Sequence, residues 1–219
     1  MESKLRIELI FIPFSDVPTN TKVTYTNFVA DHRPLKPEPD RIRCVVGGDK
    51  LDYWGDASSP TTNPAEAKIL FNSVISDASK GAKFMTCDLK DHFLASPMEK
   101  PHYMKIKWEH IPEDIRSQYN LESMLHGGYI YVKIKKGMYG LKEAAILAYK
   151  KILTHRQPRG YHPIPGTSGL WRHETRKKVF CLYVDDFGIK YYNKDDLNHF
   201  QDSLKDHFDF HLDYEGKNI

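Results

Sequence analysis

The chain has 219 residues, 40% hydrophobic and 28% charged, a balance that excludes a disordered chain and suits one domain with a sizeable core or two small ones. Its formal net charge is only +3, and no apolar run approaches the roughly 18 residues of a membrane span, so no membrane partner is expected. The patch Leu9-Ile10-Phe11-Ile12 is too short and too weakly flanked for a signal peptide.

Three scattered cysteines (Cys44, Cys87, Cys181) show no CxxC or His spacing. Neither a disulfide framework nor a zinc site is indicated, and a reducing, intracellular setting is expected. The charge is uneven along the chain. Residues 130–178 hold 12 Lys/Arg against 2 Asp/Glu, net +10, and residues 179–219 hold 4 against 9, net −5. A basic block directly before an acidic segment suits a polyanion-binding enzyme with a metal site, or a solvated basic surface.

Residues 1–60 carry short β-like runs at 5–12, 23–29 and 42–46, separated by proline turns at Pro34, Pro37 and Pro39. Arg41 and Arg43 alternate with Ile42, which puts both arginines on one face of a strand. That face could meet phosphates or be the solvent side of an edge strand. Asn63-Pro64-Ala65-Glu66 is a helix start: an Asn cap, Pro at the first position and Glu at the third. Leu70, Phe71, Val74, Ile75 and Ala78 continue it as an apolar stripe that Gly81 closes.

A hydrophobic strand entry at Phe84 ends in Asp88. A carboxylate at the end of a buried strand is costly unless paired or metal-bound, although Asp also suits a helix cap. Asp91 is the less suitable ligand of the two. Residues 97–128, with Pro97, Pro101, Pro112 and Gly127-Gly128, read as an insertion of short helices and loops. A strand follows from Tyr129 to Ile134. Lys135-Lys136-Gly137-Met138-Tyr139-Gly140-Leu141-Lys142 then makes a basic glycine turn ahead of a helix over 143–155, a reasonable phosphate platform but neither a Walker loop nor a Rossmann fingerprint. Residues 156–170 read as an exposed connection. Val179–Tyr192 reads as two strands with Asp185-Asp186 at the bend, a pair that presents carboxylates to metal ions or is an ordinary Asp-containing turn. Leu197, Phe200, Leu204 and Phe208 recur at helical spacing.

Asp88, the Asp185-Asp186 pair and the basic turn between them form the inventory of two-metal phosphoryl transfer. Eleven histidines show none of the clustering of a two-metal nuclease. Three motifs now fall in order: Cys87-Asp88-Leu89-Lys90-Asp91-His92-Phe93, Met138-Tyr139-Gly140-Leu141-Lys142-Glu143-Ala144 and Tyr183-Val184-Asp185-Asp186. Together they resemble the reverse transcriptase (RNA-directed DNA polymerase) of copia-type LTR retrotransposons. Arg41-Ile42-Arg43-Cys44-Val45-Val46-Gly47-Gly48-Asp49 resembles that family's fingers motif, so the likeness runs from about residue 23 onward.

The resemblance implies an α+β fold: a polymerase palm, with an antiparallel sheet backed by helices, and a loop-rich β fingers region. Residues 1–22 would be an N-terminal extension, 23–83 the fingers-like region with its scaffold helix, and 84–219 the palm with an insertion at 97–128. Asp88, Asp185 and Asp186 would be catalytic and would hold two Mg2+ ions, with Mn2+ as the alternative. Phe93 would stack under the incoming sugar and exclude a ribose 2′-hydroxyl, although a core aromatic fits that position too. Tyr139, Gly140 and Lys142 would line the nucleotide pocket, and Arg41 and Arg43 would approach the triphosphate. The implied partners are a primed RNA or DNA template, dNTPs and the remainder of a polyprotein (thumb, RNase H, integrase), in a cytoplasmic virus-like particle or the nucleus. Two departures stand out: Glu143-Ala144-Ala145 where the family has Gln-Ala-Pro, and His92 where small residues are common. The expected absence of a thumb leaves an alternative, an inactive remnant that still binds nucleic acid.

Overall fold

The computed structural model describes residues 9–34, 38–94 and 96–214. The first four residues of the expected 5–12 run and the turn at Pro37 lie outside them. The elements are β1 (Leu9–Ile12), β2 (Val23–His32), β3 (Asp40–Val46), α1 (Pro64–Ser76), β4 (Lys83–Leu89), β5 (Pro97–Lys107), α2 (Glu113–Gln118), β6 (Tyr129–Lys136), α3 (Ala144–Arg156), β7 (Tyr161–Pro163), β8 (Leu170–His173), β9 (Val179–Tyr183), β10 (Asp186–Tyr191), α4 (Lys194–Lys205) and β11 (Phe210–Asp213). The fold is α+β, as expected.

Packing divides the chain into two units, one of Met1–Ala57 with Phe93–Leu147 and one of Ser58–His92 with Ala148–Ile219. The first holds a five-stranded sheet ordered β1-β6-β5-β2-β3. Its pairs are antiparallel except β2 with β5, where Val23 stands beside Tyr103. Met104, Ile130, Val132 and Ile134 alternate onto its buried face, with Val46, Met138 and Leu141 in the same cluster. Residues 97–107 are thus a strand in the middle of a sheet, not part of a loop insertion. The prolines that suggested a loop sit at the strand's first residue and in a bulge, where a missing N–H does not break the ladder.

The second unit is a six-stranded antiparallel sheet ordered β11-β4-β10-β9-β8-β7. Met85, Cys87 and Leu89 of β4, Phe180 and Leu182 of β9, and Phe187 and Ile189 of β10 are buried with Leu197, Phe200 and Leu204 of α4. The helical spacing read in residues 197–208 is therefore core packing.

α1 begins with the expected capping box, in which Asn63 Oδ1 accepts from the Glu66 N–H at 3.0 Å. Glu66 also accepts the N–H groups of Ser168 at 2.6 Å and Gly169 at 3.1 Å. The Thr62 N–H donates to the Leu182 carbonyl, and its hydroxyl accepts the Leu182 N–H and donates to the Gly169 carbonyl. These bonds tie α1 to β8 and β9. Of its expected apolar stripe only Leu70 is buried; Phe71 packs its ring on Phe84 at 4.7 Å yet stays partly exposed, and Ile75 is 73% exposed.

Residues 156–170 are not the exposed connection that their prolines suggested. Tyr161 of β7 is fully buried, and its hydroxyl accepts from Lys178 Nζ at 2.8 Å and lies 3.0 Å from His199 Nδ1. Lys178 is buried too and also donates to the Asp196 carbonyl. Burial pushes its ammonium down to about 7. Between that value and the ordinary 10.5 the folded state binds fewer protons than the unfolded one, so stability rises with pH through this window. We expect the unfolding free energy to climb from pH 7 to 8.5 by up to about 1.4 kcal/mol per pH unit. Urea titrations should show this slope flattened in Lys178→Met; an equal slope in the variant would assign it to other groups.

Candidate active site

The site is built on β4, β9 and β10. Asp186 stands directly opposite Asp88 across β10 and β4, and opposite Tyr183 across β10 and β9. His211 of β11 stands opposite Asp88 on its other side. Residues directly opposite in adjacent strands share a face. Tyr183, Asp186, Asp88 and His211 therefore form one row across four strands, all of them exposed. The opposite face of the same strands is core, since Cys87, Phe187 and Leu182 are buried. Burial pushes the Cys87 thiol up to about 12, leaving it a packing residue.

Val184 and Asp185 are the two-residue loop between β9 and β10. Val184 has φ +60°, whereas Asp185 is not among the positive-φ residues. This is the geometry of a II′ hairpin, whose first central position normally takes glycine. A β-branched side chain there is strained. Asp185 follows, half-buried at the bend, and its carbonyl accepts the Leu89 N–H at 3.0 Å. That bond ties the hairpin tip to the end of the strand that carries Asp88.

Asp88, Asp185 and Asp186 thus lie in one unit, two of them opposite each other across adjacent strands and the third at the connecting turn. One expectation is corrected. Asp88 is exposed, so it bears no burial cost; the alternation of β4 turns it away from the core and sends Cys87 and Leu89 inward. Three aspartates supply hard oxygen donors, the chemistry that Mg2+ or Mn2+ prefers. No group of three His, Cys, Asp or Glu among the described residues converges closely enough to hold an ion, so the fit rests on register and donor type. His211 was missed, although its place between Phe210 and Leu212 in an alternating run marks it as facing away from the core.

The other expected residues lie in the unit with the five-stranded sheet. Arg41 and Arg43 share one face of β3 and are half-buried, while Ile42 on the other face is 73% exposed. Arg43 lies over the Tyr139 ring, 5.8 Å from its centroid, and 3.9 Å from Asp31. Tyr139 meets Phe93 edge to face at 5.2 Å. Arg43, Tyr139 and Phe93 therefore form one contiguous cluster, with Phe93 half-buried against the core cluster. Lys142 is exposed, and its Nζ donates to the Leu51 carbonyl at 3.3 Å.

Gly140 has φ +95°, and a Cβ there would overlap the Val46 carbonyl oxygen; one at Gly48 would overlap the Gly140 carbonyl. The Val46 N–H donates to the Tyr139 carbonyl at 2.8 Å. Gly140 is thus required by two backbone segments of this chain passing in contact.

Both departures from the family pattern have structural partners. The Glu143 carboxylate pairs with His102 Nε2 and accepts its own N–H. Burial, the largest single effect, opposes its ionisation, but the His102 bond, its own N–H and the charges of His102 and Lys142 together hold the carboxyl below its usual range. A carboxylate therefore already occupies the start of α3, where a phosphate platform was expected. His92 is buried against Phe208, and burial pushes its imidazole down to about 4, so it is neutral.

Residues 14–216 match the family model for reverse transcriptase (RNA-dependent DNA polymerase). The chain belongs to that family. No curated protein matches it. Among solved structures, the telomerase of Candida albicans in complex with a fragment of telomeric RNA is 9% identical, covering 95% of this chain and 44% of that one, with a TM-score of 0.48. The apo telomerase of Candida tropicalis truncated from its C-terminal domain is 12% identical, covering 90% and 48%, with a TM-score of 0.43. The chain spans less than half the length of either.

Replacing Val184 by glycine removes the positive-φ strain at the hairpin tip. We expect Val184→Gly to raise the unfolding free energy by about 1 kcal/mol. Chemical denaturation measures it, and a loss of stability would show that Val184 is held without strain.

Proposed function

We propose that this chain is the fingers-palm part of a copia-type retrotransposon reverse transcriptase and joins dNTPs to a primer 3′-hydroxyl on an RNA template. The observation that carries the reading is the facing of Asp88 and Asp186 across adjacent strands, with Asp185 at the connecting turn. The motif order set out above supports the copia assignment. On this reading the second unit is the palm and the first carries the fingers.

Asp88, Asp185 and Asp186 would hold two Mg2+ ions. When bound, such ions activate the attacking hydroxyl and stabilise the leaving oxygens. The chain's own residues do the positioning. The β4–β10 register sets two carboxylates side by side, and the bond from Leu89 to the Asp185 carbonyl fixes the third. Arg43 over the Tyr139 ring, with Phe93 edge to face against it, would line the nucleotide pocket with a cation and two aromatic rings. Phe93, locked edge to face against Tyr139, is the residue we assign to sugar discrimination.

A second reading, a remnant that binds nucleic acid without synthesis, draws on the exposed Lys135 and Lys142 of the basic block. Primer extension on an RNA template with Mg2+ and dNTPs decides between the two. Asp185→Asn and Asp88→Asn should each lower the rate by about 100-fold or more, as expected when a group that neutralises transition-state charge is lost. Extension by either variant at the wild-type rate would remove the carboxylates from the chemistry. Phe93→Val should raise ribonucleotide incorporation relative to dNTP incorporation by about tenfold or more; unchanged sugar selection in an active enzyme would make Phe93 a core residue only.

A further inference from the structure

β5 and β6 do not pair continuously. Pro97 stands beside Lys136 and His102 beside Ile134, so residues 98–101 bulge out opposite Lys135 alone. The bulge opens a cavity of about 380 Å3, open to solvent, whose lining includes Lys133, Lys135, Lys136, Glu99, Met98 and Pro101. Val132 and Ile134 face the core, so Lys133 and Lys135, two residues apart, share the opposite face of β6.

We propose that this cavity is a separate cradle for the phosphodiester backbone of single-stranded nucleic acid. Three ammonium groups against one carboxylate leave it cationic. No aromatic ring lines it, so it lacks the stacking platform that reads or grips bases. Met98 and Pro101 offer only apolar surface to a sugar edge. Contacts of this kind bind a strand without regard to sequence. An open cleft also suits a ligand that continues past it at both ends, whereas a free nucleotide or pyrophosphate would gain more from an enclosed site. The strand as ligand follows from the polymerase reading; the cationic cleft does not.

The test uses the full chain and a fluorescently labelled single-stranded RNA homopolymer, with affinity measured across salt concentrations. Lys133→Gln/Lys135→Gln should reduce the magnitude of the log-affinity against log-salt slope by about 1.4, or about 0.7 for each lost phosphate contact. Glu99→Gln should tighten binding, an opposite-sign effect that unfolding cannot mimic. An unchanged slope in the double variant, or no gain from Glu99→Gln, would overturn the cradle. So would displacement of the RNA by pyrophosphate or free dNTP at equal phosphate concentration, which would assign the cleft to small anions. Primer extension is scored separately. A wild-type chain that never extends a primer, but loses slope in the double variant, sinks the polymerase reading and keeps the cradle.

Discussion

Everything at the candidate site depends on the register of β4 against β10. That register sets Asp88 opposite Asp186, an arrangement of like charges that by itself weakens a sheet by a fraction of a kcal/mol. The sheet keeps it because the same register buries Met85, Cys87, Phe187 and Ile189 on the other face. A slip of one residue would exchange the two faces of β4, driving Asp88 into the core and Cys87 and Met85 into water. The apolar side chains thus choose the register, and the carboxylates follow from it. The two-residue loop then fixes the third acid, since Tyr183 and Asp186 must pair and only Val184 and Asp185 lie between them.

The same alternation explains what the sequence could reveal. β2, β3, β6 and α4 were legible because their side chains repeat at the period of their element, and α1 because Asn63 and Glu66 spell its cap. β5 and β7 were not. Their prolines read as loop, yet they fall at a strand start, within a bulge and at a strand end, the places where a ladder tolerates a missing donor. Tyr161 gave no sign of burial either, because its neighbours in sequence are polar. Its ring packs against Phe180 and Phe200, and its hydroxyl meets Lys178, 17 residues on, and His199, 38 residues on. The three candidate aspartates stand out by type and order alone, whereas the place of His211 beside Asp88 needed the pairing of β4 with β11.

Glu143 shows the same limit at a single residue. Read along the chain, a glutamate beside Lys142 adds a negative charge next to a groove meant for phosphates. In the fold it is buried and paired with His102, 41 residues away on β5. A glutamine there would leave the His102 ring without an anion. The departure from the family pattern and the histidine are therefore one feature, and the motif alone shows half of it.

The basic block carries a related lesson about charge counts. Its net +10 treats every Lys and Arg as surface, yet Arg156 and Lys178 are both buried. Arg156 donates to the Ser203 hydroxyl and lies over the rings of Phe200, Tyr161, Phe187 and Phe180, between 4.2 and 5.6 Å from their centroids. Burial pushes even its guanidinium down to about 10, the aromatic faces standing in for a carboxylate. Arg156 braces β9 and β10 through Phe180 and Phe187, Lys178 is bonded to Tyr161 and the Asp196 carbonyl, and neither buried side chain offers its charge to a polyanion in solution. The charge that can meet one is on side chains turned outward, such as Lys133 and Lys135 on the outer face of β6. The electrostatic character of this chain is therefore set by strand alternation more than by composition.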